Sequence, residues 1–240
     1  WSNRQAGATS STAKMSAIVV MSTSFESSST LDISRNRATE YNRHTQSLED
    51  HRGLSLELLT IDLATFVIHD NNLLVWSDAS GNAGSTAAYG IAFTDSTAAR
   101  LTATLRRNRL TVNGSFAAGV LCTHLNLSTS SNIEISRTDF HVVGWSPGPS
   151  PDSSAAAAAF FFNASNISFS TLNVSDSTGS VTAIGPASPR SAFFDLGTSV
   201  ATYVAAFHVN NNSVAIASTF GVPYAFVGSG TFFSSSSAVY

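Results

Sequence analysis

Apolar and polar residues alternate along most of this chain with a period of two. The clearest stretch is 131–140, which reads Ser-Asn-Ile-Glu-Ile-Ser-Arg-Thr-Asp-Phe, and similar stretches occupy 29–36, 165–174 and 212–220. In an extended strand, successive side chains point to opposite faces, so each stretch has one apolar and one polar face. Few segments show a helical period. The pattern therefore predicts an all-β protein made of short strands.

The alternating stretches also repeat a longer unit. A run of small and apolar residues comes before three of them, at 116–121, 155–162 and 202–209. A strand unit that recurs at irregular intervals is typical of a solenoid, in which each coil packs only on its neighbours.

Stacked coils make a specific prediction about the side chains that repeat. We expect Ile133, Ile167 and Val214 to lie within about 5 Å of each other in successive parallel strands, the usual strand spacing. Asparagine tolerates the left-handed backbone found at corners. We therefore also expect the neighbouring asparagines to stack from coil to coil; these are Asn132, Asn166 and Asn212.

One domain is predicted over residues 1–240, with three interruptions. A charged insertion spans about 38–55, and corner loops rich in turn-forming residues span about 144–154 and 179–190. The best helical candidate, 38–59, includes the insertion and is expected to form at most one short turn. Because the chain begins with Trp1 rather than Met, we expect it to be part of something longer.

The repeated unit resembles the right-handed parallel β-helix of pectin-lyase-like proteins, and more closely the repeats of outer-surface β-helix proteins. The match is carried by Ala117-Ala118-Gly119-Val120, followed by 131–135 and Phe140. It is clearest over 87–228. The resemblance implies a right-handed parallel β-helix, or β-solenoid, with loop insertions. A β-sandwich or jelly roll remains the alternative, because alternation alone also fits antiparallel strands.

Composition narrows the range of partners. Charged residues make up 11% of the chain, less than half of the usual share, and the net charge is −3. Nothing in the charge favours nucleic acid, and no apolar run is long enough to span a bilayer. The single cysteine, Cys122, lies among apolar residues and is expected to be buried. A neutral, hydroxyl-rich exterior favours an extracellular protein or a subunit packed among others.

The resemblance implies where catalytic carboxylates would lie. Hydrolases with this fold use carboxylates that converge from adjacent coils, and the 131–140 stretch offers Glu134 and Asp139. The corresponding residues of the next stretch are Ser168 and Asn173, so no ladder of carboxylates is predicted. Asp32 matches Glu134 in register, but in a distant copy.

Histidines give two further candidates. His44 and His51 lie with acidic residues in the charged insertion, where a metal site competes with the favoured interpretation of a solvated loop. His69 and Asp70 form a candidate acid/base pair without an evident nucleophile, so a strand end is favoured. No catalytic, cofactor-binding or metal-binding residue is predicted.

Asn-x-Ser/Thr sequons are the remaining signal. About four are expected by chance in so Ser- and Thr-rich a chain. The six glycosylation candidates are Asn113, Asn126, Asn163, Asn166, Asn173 and Asn211.

Three hypotheses about function remain open. The preferred one is an extracellular structural or adhesive glycoprotein module, whose partners are other subunits or domains of a surface assembly or filament. The second is a carbohydrate-active β-helix enzyme or carbohydrate-binding domain. The third is a viral capsid subunit, which requires antiparallel pairing.

Overall fold

The computed structural model describes residues 2–3, 14–42, 50–77, 86–145, 156–185, 190–195, 201–203, 206–219, 223–227, 232–233 and 238–239. Within these ranges the chain forms 28 strands in four parallel sheets of seven, and no helix. The four sheets are called A, B, C and D in the order in which the chain visits them. Each coil contributes one strand to each sheet in turn, and each strand pairs with its counterpart in the next coil.

The strand bounds follow this fourfold order. Sheet A contains β1 (Ser2–Asn3), β5 (Arg37–Asn42), β9 (Asn72–Ser77), β13 (Arg109–Gly114), β17 (Asp139–Trp145), β21 (Thr178–Ile184) and β25 (Ser213–Ser218). Sheet B contains β2 (Lys14–Met21), β6 (Asp50–Glu57), β10 (Ala87–Thr94), β14 (Phe116–Thr123), β18 (Ala156–Asn163), β22 (Arg190–Asp195) and β26 (Pro223–Val227). Sheet C contains β3 (Ser24–Phe25), β7 (Thr60–Asp62), β11 (Thr97–Ala99), β15 (Asn126–Ser128), β19 (Asn166–Ser168), β23 (Ala201–Tyr203) and β27 (Phe232–Phe233). Sheet D contains β4 (Ser29–Ser34), β8 (Ala64–His69), β12 (Thr102–Arg106), β16 (Asn132–Ser136), β20 (Thr171–Ser175), β24 (Ala206–Asn210) and β28 (Ala238–Val239).

This arrangement confirms the predicted β-solenoid. Every strand pairing among the described residues is parallel, whereas a β-sandwich or jelly roll needs antiparallel pairs. The capsid hypothesis therefore loses the structural feature on which it depended.

The predicted stack of Ile133, Ile167 and Val214 is wrong. Ile133 lies in sheet D, Ile167 in sheet C and Val214 in sheet A. One coil contains four strands with the same alternation, so the similar stretches come from different faces. In sheet D, Ile133 stacks instead between Ala103 and Leu172.

Apolar columns of this kind fill the interior. The column of Ile133 includes four buried partners in sheet D, which are Phe66, Ala103, Leu172 and Phe207. It continues in register to Leu31 and Val239. Where bulky side chains of one sheet pack against a neighbouring sheet, the residues that face them there are small. A Cβ on Gly119 of β14 would lie 2.6 Å from Cδ1 of Phe140, so glycine is required beside that ring.

The predicted interruptions need correction. Residues 38–42 and 50–55 lie in β5 and β6, and residues 179–184 lie in β21, so these parts form strands rather than an insertion, a helical turn or a loop. Gly144 and Trp145 end β17. The rest of the charged insertion and of both corner loops, at 43–49, 146–154 and 186–189, lies outside the described residues.

Candidate functional site

The corner between sheets D and A has a repeated backbone conformation. In six coils the chain turns through a non-glycine residue with positive φ, between 51° and 57°, which is uncommon for residues with a Cβ. These residues are Arg35, Asp70, Arg107, Arg137, Asp176 and Asn211. The repeated turn aligns their side chains in a column on the outside of the corner.

The residue after each turn points inward, and three of these residues form an asparagine ladder: Asn36, Asn71 and Asn108. Asn71 Nδ2 donates to Asn108 Oδ1 at 3.0 Å, and Asn36 Nδ2 donates to Asn71 Oδ1 at 3.0 Å. Asn108 and Asn71 also donate to the carbonyl oxygens of Ile68 and Ile33. The ladder thus satisfies backbone groups that the corner removes from the sheets.

The predicted stack of Asn132, Asn166 and Asn212 is wrong, and the ladder that the structure contains is made of other asparagines. Asn132 and Asn166 are exposed at the first positions of β16 and β19 in different sheets. Only Asn212 lies at the ladder corner, where its Oδ1 accepts from the Ser177 N–H at 2.9 Å. In the coils between, Thr138 and Ser177 replace asparagine, and the Thr138 N–H donates to Ser177 Oγ at 3.3 Å.

Beside the ladder, four polar side chains make a continuous contact chain across three coils. We call Asp32, His69, Asp70 and Arg107 the corner chain. His69 Nδ1 lies 2.6 Å from Asp70 Oδ2, and Asp70 receives two hydrogen bonds from Arg107, from Nε at 2.7 Å and Nη2 at 2.8 Å. On the other side, His69 Nε2 lies 3.6 Å from Asp32 Oδ1. The structure thus adds Asp32 and Arg107 to the predicted His69–Asp70 pair.

The corner chain has a defined charge state. Hydrogen bonds from Arg107 and His69 hold the pKa of Asp70 well below its usual range, so this carboxylate is ionised and only accepts hydrogen bonds. Nδ1 of His69 must therefore carry the proton in that contact. In the neutral imidazole, Nε2 is then an acceptor, and it faces a second carboxylate.

Two other pairs of polar side chains are buried instead of solvated. His51, predicted in a solvated loop, is inside the coil with Nδ1 3.5 Å from Oε1 of Glu40, and both side chains are fully buried. On the outer face of sheet B, Arg52 Nη1 donates to Glu57 Oε1 at 2.5 Å and to Ser55 Oγ at 3.1 Å. Both arrangements correct the prediction that charge in this region is exposed. His44 and Glu49 lie outside the described residues.

The two carboxylates considered as catalytic candidates, Glu134 and Asp139, lie in different sheets. Glu134 accepts a hydrogen bond from Ser136 in sheet D, whereas Asp139 contacts His141 and Arg109 in sheet A. In the described part of the chain, no group of three or more His, Cys, Asp and Glu residues is arranged to hold a metal ion. Cys122 is buried, as expected, and burial raises the pKa of its thiol.

The six sequons differ in accessibility. Asn126, Asn166 and Asn211 are exposed, while the other three, Asn113, Asn163 and Asn173, are half-buried. Asn126 and Asn166 are register partners in sheet C, so two glycans there would lie about one strand spacing apart. By exposure and spacing alone, a glycan fits on one of this pair and on Asn211.

An aromatic pair lies on the outer face of sheet A. Tyr41 and Trp76 are register partners in β5 and β9, with ring centroids 6.4 Å apart, and they are 43% and 39% exposed. Sequence reasoning missed this pair, because the register between the two strands was unknown.

Comparisons with known proteins leave the family open. No family model, no curated protein and no solved structure matches the chain. Among the described residues there is no helix of the length and hydrophobicity that crossing a membrane would require.

Proposed function

We propose that this chain is a structural or adhesive β-solenoid module of an extracellular glycoprotein assembly or filament, joined to neighbouring subunits or domains end to end. The observation that carries this proposal is the pairing of the outermost described coils. Within the described residues, strands β2 and β4 pair on one side only, as does β25 at the opposite edge of the stack. The other edge of each of these strands can accept a further parallel strand.

The side chains at these ends support stacking. Ile18 and Val20 of β2 point inward, where they continue the columns of Leu54 and Leu56, yet they stay only partly buried. At the other edge of the stack, Val214 and Ile216 of β25 also pack against the core and are only partly buried. A neighbour with the same coil architecture would cover these side chains and extend the four sheets, which buries apolar surface and pairs backbone groups together.

Self-association of the purified chain tests this proposal. Analytical ultracentrifugation should show concentration-dependent association, and Val20→Lys should abolish it by placing a charge in the inward column. Val19→Lys is the matched control, since Val19 points outward and is 49% exposed. A chain that stays monomeric at every concentration, or equal effects of the two lysines, would contradict end-to-end stacking.

The extracellular and glycoprotein parts of the proposal have their own support. Low charge, a hydroxyl-rich composition and three exposed sequon asparagines all suit a secreted surface. Mass spectrometry of the chain secreted from a glycosylating host should find glycan on Asn211 and on one of Asn126 and Asn166. Occupancy confined to the half-buried Asn113 or Asn173 would contradict the accessibility argument.

The exposed Tyr41–Trp76 pair supports a second candidate, a carbohydrate-binding domain or carbohydrate-active enzyme. Exposed aromatic rings offer an apolar face with polar edges, which suits a sugar ring. A gel that contains polysaccharide should retard the migration of the wild-type chain, and Trp76→Ala should remove that retardation. Ile184→Ala should keep it, since Ile184 is another exposed residue of sheet A. Depolymerase activity that is lost on substitution of Glu134 or Asp139 would favour the enzyme over the structural module.

A further inference from the structure

The corner chain brings two hydrogen-bond acceptors face to face, and end-to-end stacking does not involve them. Two acceptor atoms, Nε2 of His69 and Oδ1 of Asp32, face each other at 3.6 Å. Two acceptors at this separation repel unless a positive charge lies between them. The charge can be a proton on His69 or a metal ion bound by both atoms.

We propose that His69 and Asp32 bind a divalent transition-metal cation of the zinc class, with Asp70 and Arg107 orienting the imidazole. This inference does not depend on end-to-end stacking, because the side chains of Asp32 and His69 lie on the outside of the coil, although Asp32 belongs to the edge strand β4.

The distance between the two acceptors suits such an ion. Zinc binds imidazole nitrogen and carboxylate oxygen at about 2.0–2.2 Å, and a tetrahedral angle then places two ligands about 3.3–3.5 Å apart. The observed 3.6 Å is within a few tenths of an ångström of that separation. No rearrangement of the strands is needed, because Asp32 is 57% exposed and can adjust its side chain.

The other side of the imidazole is also arranged as in metal sites. A metal-binding histidine nearly always donates its second ring N–H to a carboxylate or carbonyl oxygen, which fixes its tautomer. Here Asp70 accepts from Nδ1 at 2.6 Å and is itself held by Arg107. A carboxylate that accepts from Nδ1 in this way makes Nε2 a more basic ligand.

The charges near His69 limit the affinity of the site for a cation, and the number of protein ligands determines how many coordination positions water occupies. Asp70 and Arg107 compensate each other, so the unpaired charge facing His69 is that of Asp32. Exposed Arg106, in register with His69 on the next coil, and Arg35 at the corner act against a cation and limit its affinity. With two protein ligands, the other coordination positions are left to water, so the site is open rather than a closed structural one.

Titration of the full chain with Zn²⁺ alone tests the proposal. Isothermal calorimetry should show one bound equivalent, which His69→Gln removes and Asp32→Asn weakens at least tenfold. Asp70→Asn should weaken binding about 10- to 100-fold, as loss of an orienting carboxylate typically does. Asp32 is exposed, so Asp32→Asn keeps the test valid even where His69→Gln disturbs folding.

Two other Asp–His pairs are matched controls. His124 Nδ1 lies 3.0 Å from Asp95, and His141 Nε2 lies 3.1 Å from Asp139, so each of these contacts joins one ring nitrogen to one carboxylate. His124→Gln and His141→Gln should leave zinc binding unchanged. The proposal is overturned by absent binding, by binding that survives Asp32→Asn at full strength, or by loss of binding in either control.

Discussion

Asp70 illustrates how a single residue at the corner combines backbone and charge roles. It adopts a positive φ of 57°, continues the turn column, and joins His69 to Arg107. Asparagine tolerates the same backbone conformation, so Asp70→Asn removes the charge while keeping the turn.

The lowered pKa of Asp70 predicts how stability depends on pH. Because its pKa is lower in the folded than in the unfolded chain, ionised Asp70 contributes stability above about pH 4, the usual pKa of aspartate, and loses it as pH falls further. Denaturant unfolding should therefore show Asp70→Asn less stable than wild type at neutral pH, with the difference shrinking in acid. A difference that grows as pH falls would contradict the ion-pair account.

The asparagine ladder makes a second prediction at this scale. Asn108→Ala removes the acceptor of Asn71 and the donor to the Ile68 carbonyl oxygen, which leaves buried groups without partners. Each such group costs about 1–3 kcal/mol, so we expect a loss of about 2–4 kcal/mol in the free energy of unfolding. Asn72→Ala, at an exposed position one residue after the ladder, should cost well under 1 kcal/mol.

At the scale of elements, small and bulky columns fit together across neighbouring sheets. Gly119→Val would place a branched side chain where a Cβ already meets Phe140 at 2.6 Å and the Ala159 carbonyl oxygen at 2.8 Å. Overpacking of this kind costs about 1–3 kcal/mol or more. Chemical denaturation should show that loss, while Thr111→Val on the outer face of sheet A should change stability little. Equal losses of stability in Gly119→Val and Thr111→Val would mean that the column of Gly119 does not pack against the column of Phe140.

Sequence reasoning identified the type of element but not its place in the coil. Alternation identifies strands, because successive side chains of any extended strand point to opposite faces. The recurrence of the strand unit is what indicated the solenoid. Neither feature says which of four sheets a strand joins, so Ile133 and Ile167 were assigned to one stack although they lie on different faces. The better signal was the polar residue followed by asparagine just before a strand, as in Asp70–Asn71 and Arg107–Asn108.

Only two of the four members of the corner chain could be predicted from the sequence, because the sheet register was unknown. His69 and Asp70 are adjacent, so their contact could be predicted. Asp32 and Arg107 come from neighbouring coils, and their approach depends on coil lengths that vary along the chain. The match of Asp32 with Glu134 was nevertheless right, since both belong to one outer column of sheet D.

Stacking of the coils explains both the continuous apolar interior and the partly buried side chains of the outermost described coils. Each coil gains its core from its neighbours, so a terminal coil keeps apolar columns half exposed until another coil covers them. The proposed assembly and the interior of the solenoid therefore depend on the same physical cause, which is parallel strands in register.

Disulfide trapping in solution measures this register. Thr102 and Asn132 are exposed register partners in sheet D. Neighbouring strands are about 4.8 Å apart, within the range that a disulfide bridges. Cys122 stays in place, because burial and its raised pKa keep it unreactive. Under mild oxidation, Thr102→Cys with Asn132→Cys should cross-link rapidly, and Thr102→Cys with Ser136→Cys should not. Cross-linking of the second pair in preference to the first would contradict the stacked, in-register solenoid.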